Sequence, residues 1–264
     1  MKITKNIYNG DCYYGLVVET YNKFHPQGNI NDAAFYKLLI DEVAGAVLEI
    51  MCGSGRVLIP LLRQNIDIDG LDCSNEMLAS CREQALAEGL SCNLYEQYAH
   101  EMELPRKYKT IIFSYSSFAL IIDRNQAFET LRKIYNHLED GGQLILDMAI
   151  AWLVTEKKDD GIWKLSRKGM LSDNRFVHIS RVAEYNRLEQ LEYSQIKYEV
   201  YQDGKLIDTL LDEIQCRYYG KYELQLLLEK AGFCGVRTYG DFQDKEADNG
   251  NEIVTFRCFK KTNT

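Results

Sequence analysis

Short apolar runs alternate with segments of helical spacing along the first 150 residues of the chain. The apolar runs at residues 46–50, 66–71, 110–113 and 143–147 are rich in β-branched side chains, which predicts strands. Helices are predicted over residues 32–43, after Arg56, from Asn75 and over residues 125–138. Since each strand–helix–strand unit makes a right-handed crossover, this order predicts a doubly wound parallel sheet.

The pattern changes over residues 152–219, where helical periodicity is weak. Runs at residues 175–185, 190–201 and 205–218 alternate between apolar and polar side chains, and the turn signals Asn186-Arg187 and Asp203-Gly204 separate them. Such runs predict antiparallel strands with one half-buried face. We expect this region to be an insertion that serves as a lid over a substrate or as a dimerisation sheet.

The last 45 residues predict a helix followed by a hairpin. The helix covers residues 221–230, and strands at residues 236–239 and 253–259 are joined by a polar loop, residues 241–251. Because this loop is too short for a crossover helix, the two strands should pair antiparallel.

Composition favours a single compact domain. A chain of 264 residues with 46% hydrophobic content can bury a large core. The 31 basic and 39 acidic residues give a net charge of −8, and no basic block stands out, which argues against a nucleic-acid partner. Residues 1–10 lack the apolar core of a signal peptide and no run of 18 apolar residues exists, so we expect a cytoplasmic protein without a membrane partner.

The eight cysteines show no Cys-x-x-Cys pair, and the four histidines show no ligand spacing. The cysteines are scattered through predicted strands and helices. We therefore expect reduced, mostly buried thiols and no metal site.

The strand at residues 46–50 runs directly into two closely spaced glycines, Gly53 and Gly55. Such glycines allow a sharp turn and a close approach of backbone to a ligand, and the helix after Arg56 would point its N–H groups there. The dinucleotide fingerprint asks for a third glycine, where this chain has Leu58. Asp72 follows the next strand and is placed to hydrogen-bond both ribose hydroxyls of an adenosine, which fits NAD and S-adenosylmethionine alike.

Several segments in order resemble the class I S-adenosylmethionine-dependent methyltransferases. They are Glu49 before the Cys-Gly-Ser-Gly turn, Gly-Leu-Asp-Cys-Ser-Asn-Glu-Met-Leu at residues 70–78, and the segments at residues 94–99, 110–118 and 140–147. Together they span residues 49–147, in the order typical of the family. The resemblance implies an α/β fold, with a Rossmann-like seven-stranded sheet, mostly parallel, that ends in an antiparallel hairpin beside the inserted antiparallel region. One domain over residues 1–264 is then expected, with a helical lead-in (1–44), a cofactor-binding core (45–151), the insertion (152–219) and a C-terminal completion of the core (220–264).

The same resemblance implies S-adenosylmethionine as cofactor and a set of residues around it. Gly53 and Gly55 would pack against its amino-acid end, Asp72 would hold the ribose, and Cys73 and Met77 would line the adenine. The remaining expected cofactor contacts are Tyr21 from the lead-in, with Tyr14 as the alternative, and Glu49, Gln97, Tyr98, Ala99 and Ser114. The position of Tyr98 is commonly acidic in the family, so the adenine contact departs from the family pattern.

The expected partner is a small-molecule methyl acceptor. Residues 114–118 end the fourth strand, where such folds bind ligands, and the expected substrate contacts are Ser117, Phe118, Trp152 and Tyr218. Aromatic walls favour a cationic or amine centre, although each aromatic side chain could instead belong to a core. We expect the group that accepts the methyl to be an amine, and a hydroxyl group remains the alternative. Methyl transfer needs no dedicated base, and none is assigned.

Two other functions stay open from sequence. An NAD-dependent oxidoreductase is disfavoured by Leu58 and by the terminal hairpin. A non-catalytic protein that binds S-adenosylmethionine on the same fold would keep the nucleoside site and lack an acceptor pocket. A monomer and a homodimer are both compatible with the sequence.

Overall fold

Two β-sheets organise the part of the chain that the structure describes. The computed structural model describes residues 3–5, 12–28, 30–149 and 161–262. The helices in these ranges are α1 (Leu16–Phe24), α2 (Asp32–Asp41), α3 (Leu58–Leu62), α4 (Asn75–Ala87), α5 (Arg124–His137) and α6 (Lys221–Lys230). The strands are β1 (Ile3–Lys5), β2 (Val47–Ile50), β3 (Ile68–Asp72), β4 (Leu94–Glu96), β5 (Tyr108–Phe113), β6 (Leu138–Ala149), β7 (Lys164–Met170), β8 (Phe176–Asn186), β9 (Leu191–Gln202), β10 (Lys205–Arg217), β11 (Cys234–Gly240) and β12 (Ile253–Phe259).

The larger sheet has seven strands in the order β11, β12, β6, β5, β2, β3, β4. Strands β2 to β6 pair in parallel, whereas β12 runs antiparallel to both of its neighbours, β6 and β11. The predicted parallel sheet with a terminal antiparallel hairpin is therefore confirmed. The strand order reverses between β2 and β5, and ligands of doubly wound folds bind at the carboxyl ends of strands at such a point.

Apolar runs form the centre of this sheet because both of its faces are covered. All residues of β2 and β3 are buried, as expected for parallel strands between two helical layers. Leu48 and Phe113 belong to a cluster on one face, and Val47 and Ile112 belong to a cluster with α2 and α3 on the other. The two clusters hold the strand ends in fixed positions.

The smaller sheet has the order β1, β10, β9, β8, β7, and all of these strands except β1 lie in the predicted insertion. Strands β7 to β10 form an antiparallel meander, so the predicted antiparallel strands are confirmed as β8, β9 and β10. Two further strands were not predicted. β7 is almost entirely exposed and lacks apolar alternation, and β1 has only three residues, which pair in parallel with β10.

Helix α1 joins the two sheets. Val17 packs against Val177, Tyr198 and Val200 of the smaller sheet, and Glu19 pairs with Arg175 at 2.8 Å. None of the helices in the described ranges is long and apolar enough to span a membrane.

Candidate functional site

The turn after β2 is built on residues in the left-handed region. Met51, Gly53 and Gly55 have φ values of 54°, 55° and 86°. A Cβ on Gly53 would meet only the Met77 methyl carbon, at 3.7 Å, whereas a Cβ on Gly55 would lie 2.7 Å from the Cys81 Sγ. Gly53 therefore leaves room in front of the turn, and Gly55 lets α3 and α4 pack behind it.

Asp72 closes this turn from the end of β3. Its Oδ2 accepts a hydrogen bond from the Gly53 N–H at 2.8 Å, and its Oδ1 accepts one from the Ser74 N–H at 2.8 Å. Burial raises the pKa of Asp72, while these N–H donors favour its ionised form. The carboxylate keeps acceptor capacity for a further donor. Ser74 in turn caps α4 by accepting from the Met77 N–H at 3.1 Å.

Glu49 lies beneath the turn, fully inside the sheet. The Ser114 hydroxyl donates to its Oε1 at 2.7 Å, and its Oε2 is buried without a hydrogen-bond partner among the described residues. Burial raises the pKa of Glu49 to about 8. The side chain is therefore protonated near pH 7, and a cationic ligand group beside its unmatched oxygen would favour the ionised form.

Arg56 places a positive charge near Glu49, at the carboxyl end of β2. Its Nη2 lies 2.7 Å from Asp32 Oδ2, both side chains are almost fully buried, and its guanidinium carbon lies 4.6 Å from the centre of the Tyr115 ring. Arg56 Nη1 is also buried without a hydrogen-bond partner among the described residues. When a cation beside Glu49 favours its ionised form, Glu49 and Arg56 would present opposite charges at the carboxyl end of β2.

Asp147, at the end of β6, shapes the opposite wall. It accepts hydrogen bonds from the Tyr36 hydroxyl, from the Tyr115 N–H at 2.9 Å and from the Ser116 N–H at 2.5 Å. Tyr115 and Ser116 have φ values of 55° and 56°, a conformation that side chains other than glycine adopt rarely. Asp147 therefore fixes a strained turn whose residues face the cavity described next.

These elements surround a cavity of about 280 Å³, here called the edge cavity, at the carboxyl ends of β2, β3 and β5. Seven of the residues expected to contact cofactor or substrate line it together: Tyr21, Gly53, Asp72, Cys73, Met77, Ser117 and Tyr218. They come from α1, from the core sheet and from the insertion. The fold thus brings together side chains that lie almost 200 residues apart.

Other expected contacts lie outside the lining of the edge cavity. Glu49 and Ser114 are buried beneath the turn, Gly55 packs behind it, and Phe118 is fully buried against Phe113 and Tyr219. The expectation that Phe118 faces a substrate does not match this position, because its ring belongs to the core. Trp152 lies outside the described residues.

The three expected adenine contacts divide between core and surface. Ala99 is buried in the core. Gln97 and Tyr98 line a shallow surface cavity together with Cys73 and Glu96, and Gln97 holds the Glu103 backbone at 2.8 and 3.2 Å. Cys73 is the residue that borders both this surface cavity and the edge cavity.

A disulfide between Cys12 and Cys73 contradicts the prediction that all eight cysteines are reduced. Its Cα atoms are 5.9 Å apart, and both residues line the edge cavity. No local pattern indicates this pair, because the two residues are 61 positions apart and meet only when the lead-in folds across the sheet. The other six cysteines are not disulfide-bonded, and no group of described side chains is arranged to hold a metal ion.

Residues 12–15, here called the strap, cross the carboxyl end of β3 and are fastened there at three points. Besides the disulfide, the Ser74 hydroxyl donates to the Tyr13 carbonyl at 2.5 Å, and the Gly15 N–H donates to Glu76 Oε2 at 2.6 Å. The strap therefore covers one side of the edge cavity.

A second cavity of about 200 Å³, here called the sheet cavity, lies between α1 and the smaller sheet. It shares Tyr13, Tyr21, His25 and Ile214 with the edge cavity, so the two cavities adjoin. Burial and the nearby Arg167 lower the pKa of His25 to about 4, which leaves the ring neutral near pH 7. Space for a second molecule thus lies directly beside the edge cavity.

Sequence reasoning missed Arg56, Asp147 and His25 as parts of the site. Asp147 ends an apolar strand as Asp72 does, so the same signal was present at both positions. Arg56 follows the glycine turn directly, but its burial against Asp32 depends on α2. His25 carries no local signal, because its place at the junction of the two cavities follows from the smaller sheet.

Comparisons with known proteins agree with this geometry. A family model described as a methyltransferase domain matches residues 47–142. The glycine/sarcosine N-methyltransferase of Aphanothece halophytica is 24% identical over 225 residues, which are 84% of this chain and 78% of that protein. The dTDP-3-amino-3,4,6-trideoxy-alpha-D-glucopyranose N,N-dimethyltransferase of Streptomyces venezuelae is 23% identical over 189 residues, 72% of this chain and 75% of that protein.

Among solved structures, an S-adenosylmethionine-dependent methyltransferase from Clostridium acetobutylicum ATCC 824 has the same fold. Its TM-score is 0.75 at 18% sequence identity, with 92% of this chain and 96% of that chain covered. The sheet order, the glycine turn after β2 and the matched methyltransferase domain agree with one another. The chain therefore carries a methyltransferase domain over residues 47–142, on the fold of S-adenosylmethionine-dependent methyltransferases.

Proposed function

We propose that this methyltransferase acts on a small-molecule amine that binds where the edge cavity meets the sheet cavity. The observation that carries the proposal is the pair of adjoining cavities, one at the glycine turn and Asp72, the other beneath α1. One cavity suffices to hold a cofactor. The second gives an acceptor a place beside it.

The donor set at the carboxyl end of β2 fits the cofactor. The unmatched oxygen of Glu49 suits an ammonium group, and the unmatched Nη1 of Arg56 suits a carboxylate, so together they fit the amino-acid end of S-adenosylmethionine. The remaining acceptor capacity of Asp72 fits the ribose hydroxyls, and Met77 and Cys73 fit an apolar ring beyond it. We propose these five residues as the cofactor site.

When bound, S-adenosylmethionine supplies a methyl group whose C–S bond breaks as the new N–C bond forms, with the electron pair left on sulfur. The chain's own residues contribute position and exclusion of water. Asp147 fixes the Tyr115–Ser116 turn against the acceptor, and the strap with α1 covers the edge cavity. Holding the two reactants in the reacting geometry, with water excluded, provides much of the rate acceleration of such a displacement.

The site gives less support to the two other functions considered from the sequence, an oxidoreductase and a protein that only binds the cofactor. An oxidoreductase reading lacks support because β12 interrupts the parallel order that a dinucleotide domain continues. A protein that only binds the cofactor would not need a site for a methyl acceptor. The sheet cavity, which shares four lining residues with the edge cavity, offers space for such a site.

Calorimetric titration with S-adenosylmethionine, S-adenosylhomocysteine and NAD under one condition tests the cofactor site. We expect the two adenosyl compounds to bind and NAD not to bind. Asp72→Ala should weaken S-adenosylmethionine binding by roughly 10- to 100-fold, because a charge-assisted pair of hydrogen bonds is lost. Unchanged affinity in a folded Asp72→Ala variant would refute the placement of the ribose.

Transfer of a labelled methyl group to matched compounds tests the acceptor class. Tyramine and glucosamine should accept the label at nitrogen, whereas 4-(2-hydroxyethyl)phenol and glucose, which carry hydroxyl groups at those positions, should not. Labelling of the hydroxyl compounds alone would replace the amine proposal with O-methylation.

A further inference from the structure

One carboxylate in the sheet cavity has no positive partner among the described side chains. Asp212 lies on β10, faces the cavity and is only half exposed. No described lysine, arginine or histidine forms an ion pair with it. Burial raises its pKa, and the backbone N–H of Glu213 opposes that shift.

The two arginines of the sheet cavity are already engaged elsewhere. Arg181 pairs with the buried Glu192 and donates from Nε to Ser194 Oγ at 2.8 Å. Arg167 lies beside His25, with 3.2 Å between its Nη2 and the His25 Nε2. The negative charge of Asp212 is therefore left for a group that enters the cavity.

Aromatic rings complete the surroundings of this carboxylate. Burial, with a smaller contribution from the nearby Asp212, raises the pKa of the hydroxyls of Tyr13 from the strap and Tyr198 from β9. Tyr21 forms part of the same wall. Tyrosine faces attract cations through their ring quadrupoles. A carboxylate among tyrosines is thus suited to an ammonium group and poorly suited to an anion.

Asp212 lies close to the place where the sheet cavity meets the edge cavity. Ile214, which both cavities share, lies two residues along the same strand and on the same face. Two residues of a strand span about 7 Å. A group bound at Asp212 therefore lies about 7 Å from Ile214, where the two cavities meet.

We propose that Asp212 is a substrate-binding residue, which holds the amine of the methyl acceptor, as its ammonium ion, in a tyrosine-lined subsite of the sheet cavity. The ammonium ion must release one proton to water before its nitrogen has the lone pair that forms the N–C bond. This inference rests on the proposed amine methylation and names the residue that selects the amine. Because nitrogen gains positive charge as the N–C bond forms, a nearby carboxylate also favours the methylated product state.

Binding of choline tests the subsite without any methyl transfer, since its nitrogen is already quaternary. With S-adenosylhomocysteine present, wild-type protein should bind choline at least tenfold more tightly than 3,3-dimethylbutan-1-ol, its uncharged isostere, in calorimetric titration. Equal binding of the two compounds, or no choline binding up to 50 mM (roughly the weakest affinity that a single such contact gives), would overturn the proposal.

Two neighbouring substitutions then separate Asp212 from the strand that carries it. Asp212→Asn should weaken choline binding at least tenfold, and Asp212→Glu should retain most of it. Glu213→Gln is the matched control, because Glu213 is exposed on the opposite face of β10 and pairs with Gln195; it should bind as wild type does. Unchanged choline binding by Asp212→Asn would refute the assignment.

The two proposals fail in different ways. If the amine panel is not methylated, the acceptor class fails, whereas the choline titration still reports on the Asp212 subsite in the presence of S-adenosylhomocysteine. If amines are methylated and Asp212→Asn keeps the wild-type KM for tyramine, the amine proposal stands and the role of Asp212 is refuted.

Discussion

At the scale of single residues, the two glycines of the first turn have different tasks. Gly53 faces the edge cavity and would have space for a Cβ, whereas Gly55 faces the packed side chains of α3 and α4. Sequence reasoning gave both the same role, because spacing alone does not reveal which side of a turn is packed.

Alanine at each glycine should therefore affect different measurements. Gly55→Ala should destabilise the protein by about 2–4 kcal/mol. Alanine is disfavoured in the left-handed conformation of this residue, and its Cβ would lie 2.7 Å from the Cys81 Sγ. Gly53→Ala should cost less stability and should weaken S-adenosylmethionine binding, because the added methyl group would occupy the face of the turn. Urea unfolding and calorimetric titration of both variants test this division, and equal losses of stability would contradict it.

Glu49 should make stability depend on pH in a defined direction. Its pKa is about 8 in the fold, well above the ordinary value of 4.5, so the folded protein holds one proton more than the unfolded chain between these values. The free energy of unfolding then falls as pH rises through this window, because burial opposes ionisation.

Glu49→Gln removes this titration while keeping the shape of the side chain. The stability of Glu49→Gln relative to wild type should therefore increase between pH 5 and pH 9, as measured by urea unfolding at several pH values. Other groups titrate equally in both proteins and cancel in the difference. A constant difference across this range would show that Glu49 is ionised throughout.

At the scale of elements, the strap controls one side of the edge cavity. One of its three fastenings is a covalent bond that thiol reagents can open. When a dithiol reduces it, the two protein thiols form and the reagent becomes a disulfide. The hydrogen bonds at Ser74 and at Glu76 remain after this reduction.

Opening the disulfide should accelerate cofactor exchange. We expect dithiothreitol, and Cys12→Ser without any reductant, to raise the dissociation rate of S-adenosylhomocysteine several-fold in stopped-flow displacement. Cys92→Ser is the matched control, because Cys92 is not disulfide-bonded, and it should leave the rate unchanged. If Cys12→Ser releases the ligand at the wild-type rate, the strap does not limit exchange.

At the scale of the whole molecule, β12 joins the edge strand β11 to the other five strands of the larger sheet. β12 lies between β6 and β11, and Phe256 at its centre is buried in the main cluster. Arg257 extends this link, since it donates to Gln143 Oε1 at 2.7 Å and to Glu42 Oε2 at 2.6 Å.

Truncation of Phe256 should therefore weaken the entire domain. Phe256→Ala should lower the free energy of unfolding by about 3–5 kcal/mol through loss of burial and a residual cavity. Tyr222→Ala, on the exposed face of α6, should change it by less than about 0.5 kcal/mol. Urea unfolding followed by far-UV circular dichroism measures both, and a loss below 1 kcal/mol for Phe256→Ala would contradict the central role of β12, given the typical range for buried phenylalanine.

The sequence predicted most of the larger sheet and less of the site. Strands β2, β3 and β5 could be found because parallel strands covered on both faces read as continuous apolar runs, and the glycines and Asp72 carry local signals. β7 was missed because its side chains are exposed. Asp212, His25 and the disulfide could not be found, since each depends on how the lead-in and the smaller sheet meet across distant parts of the chain.

The place of β12 also has a consequence for synthesis on the ribosome. Every other strand of the larger sheet is made before β12, yet β6 and β11 have no partner on their facing edges until residues 253–259 are available. A nascent chain must therefore carry two open sheet edges, and such edges are templates for pairing with other chains. Chaperone demand should accordingly last until β12, a strand of seven residues, pairs with both of these edges.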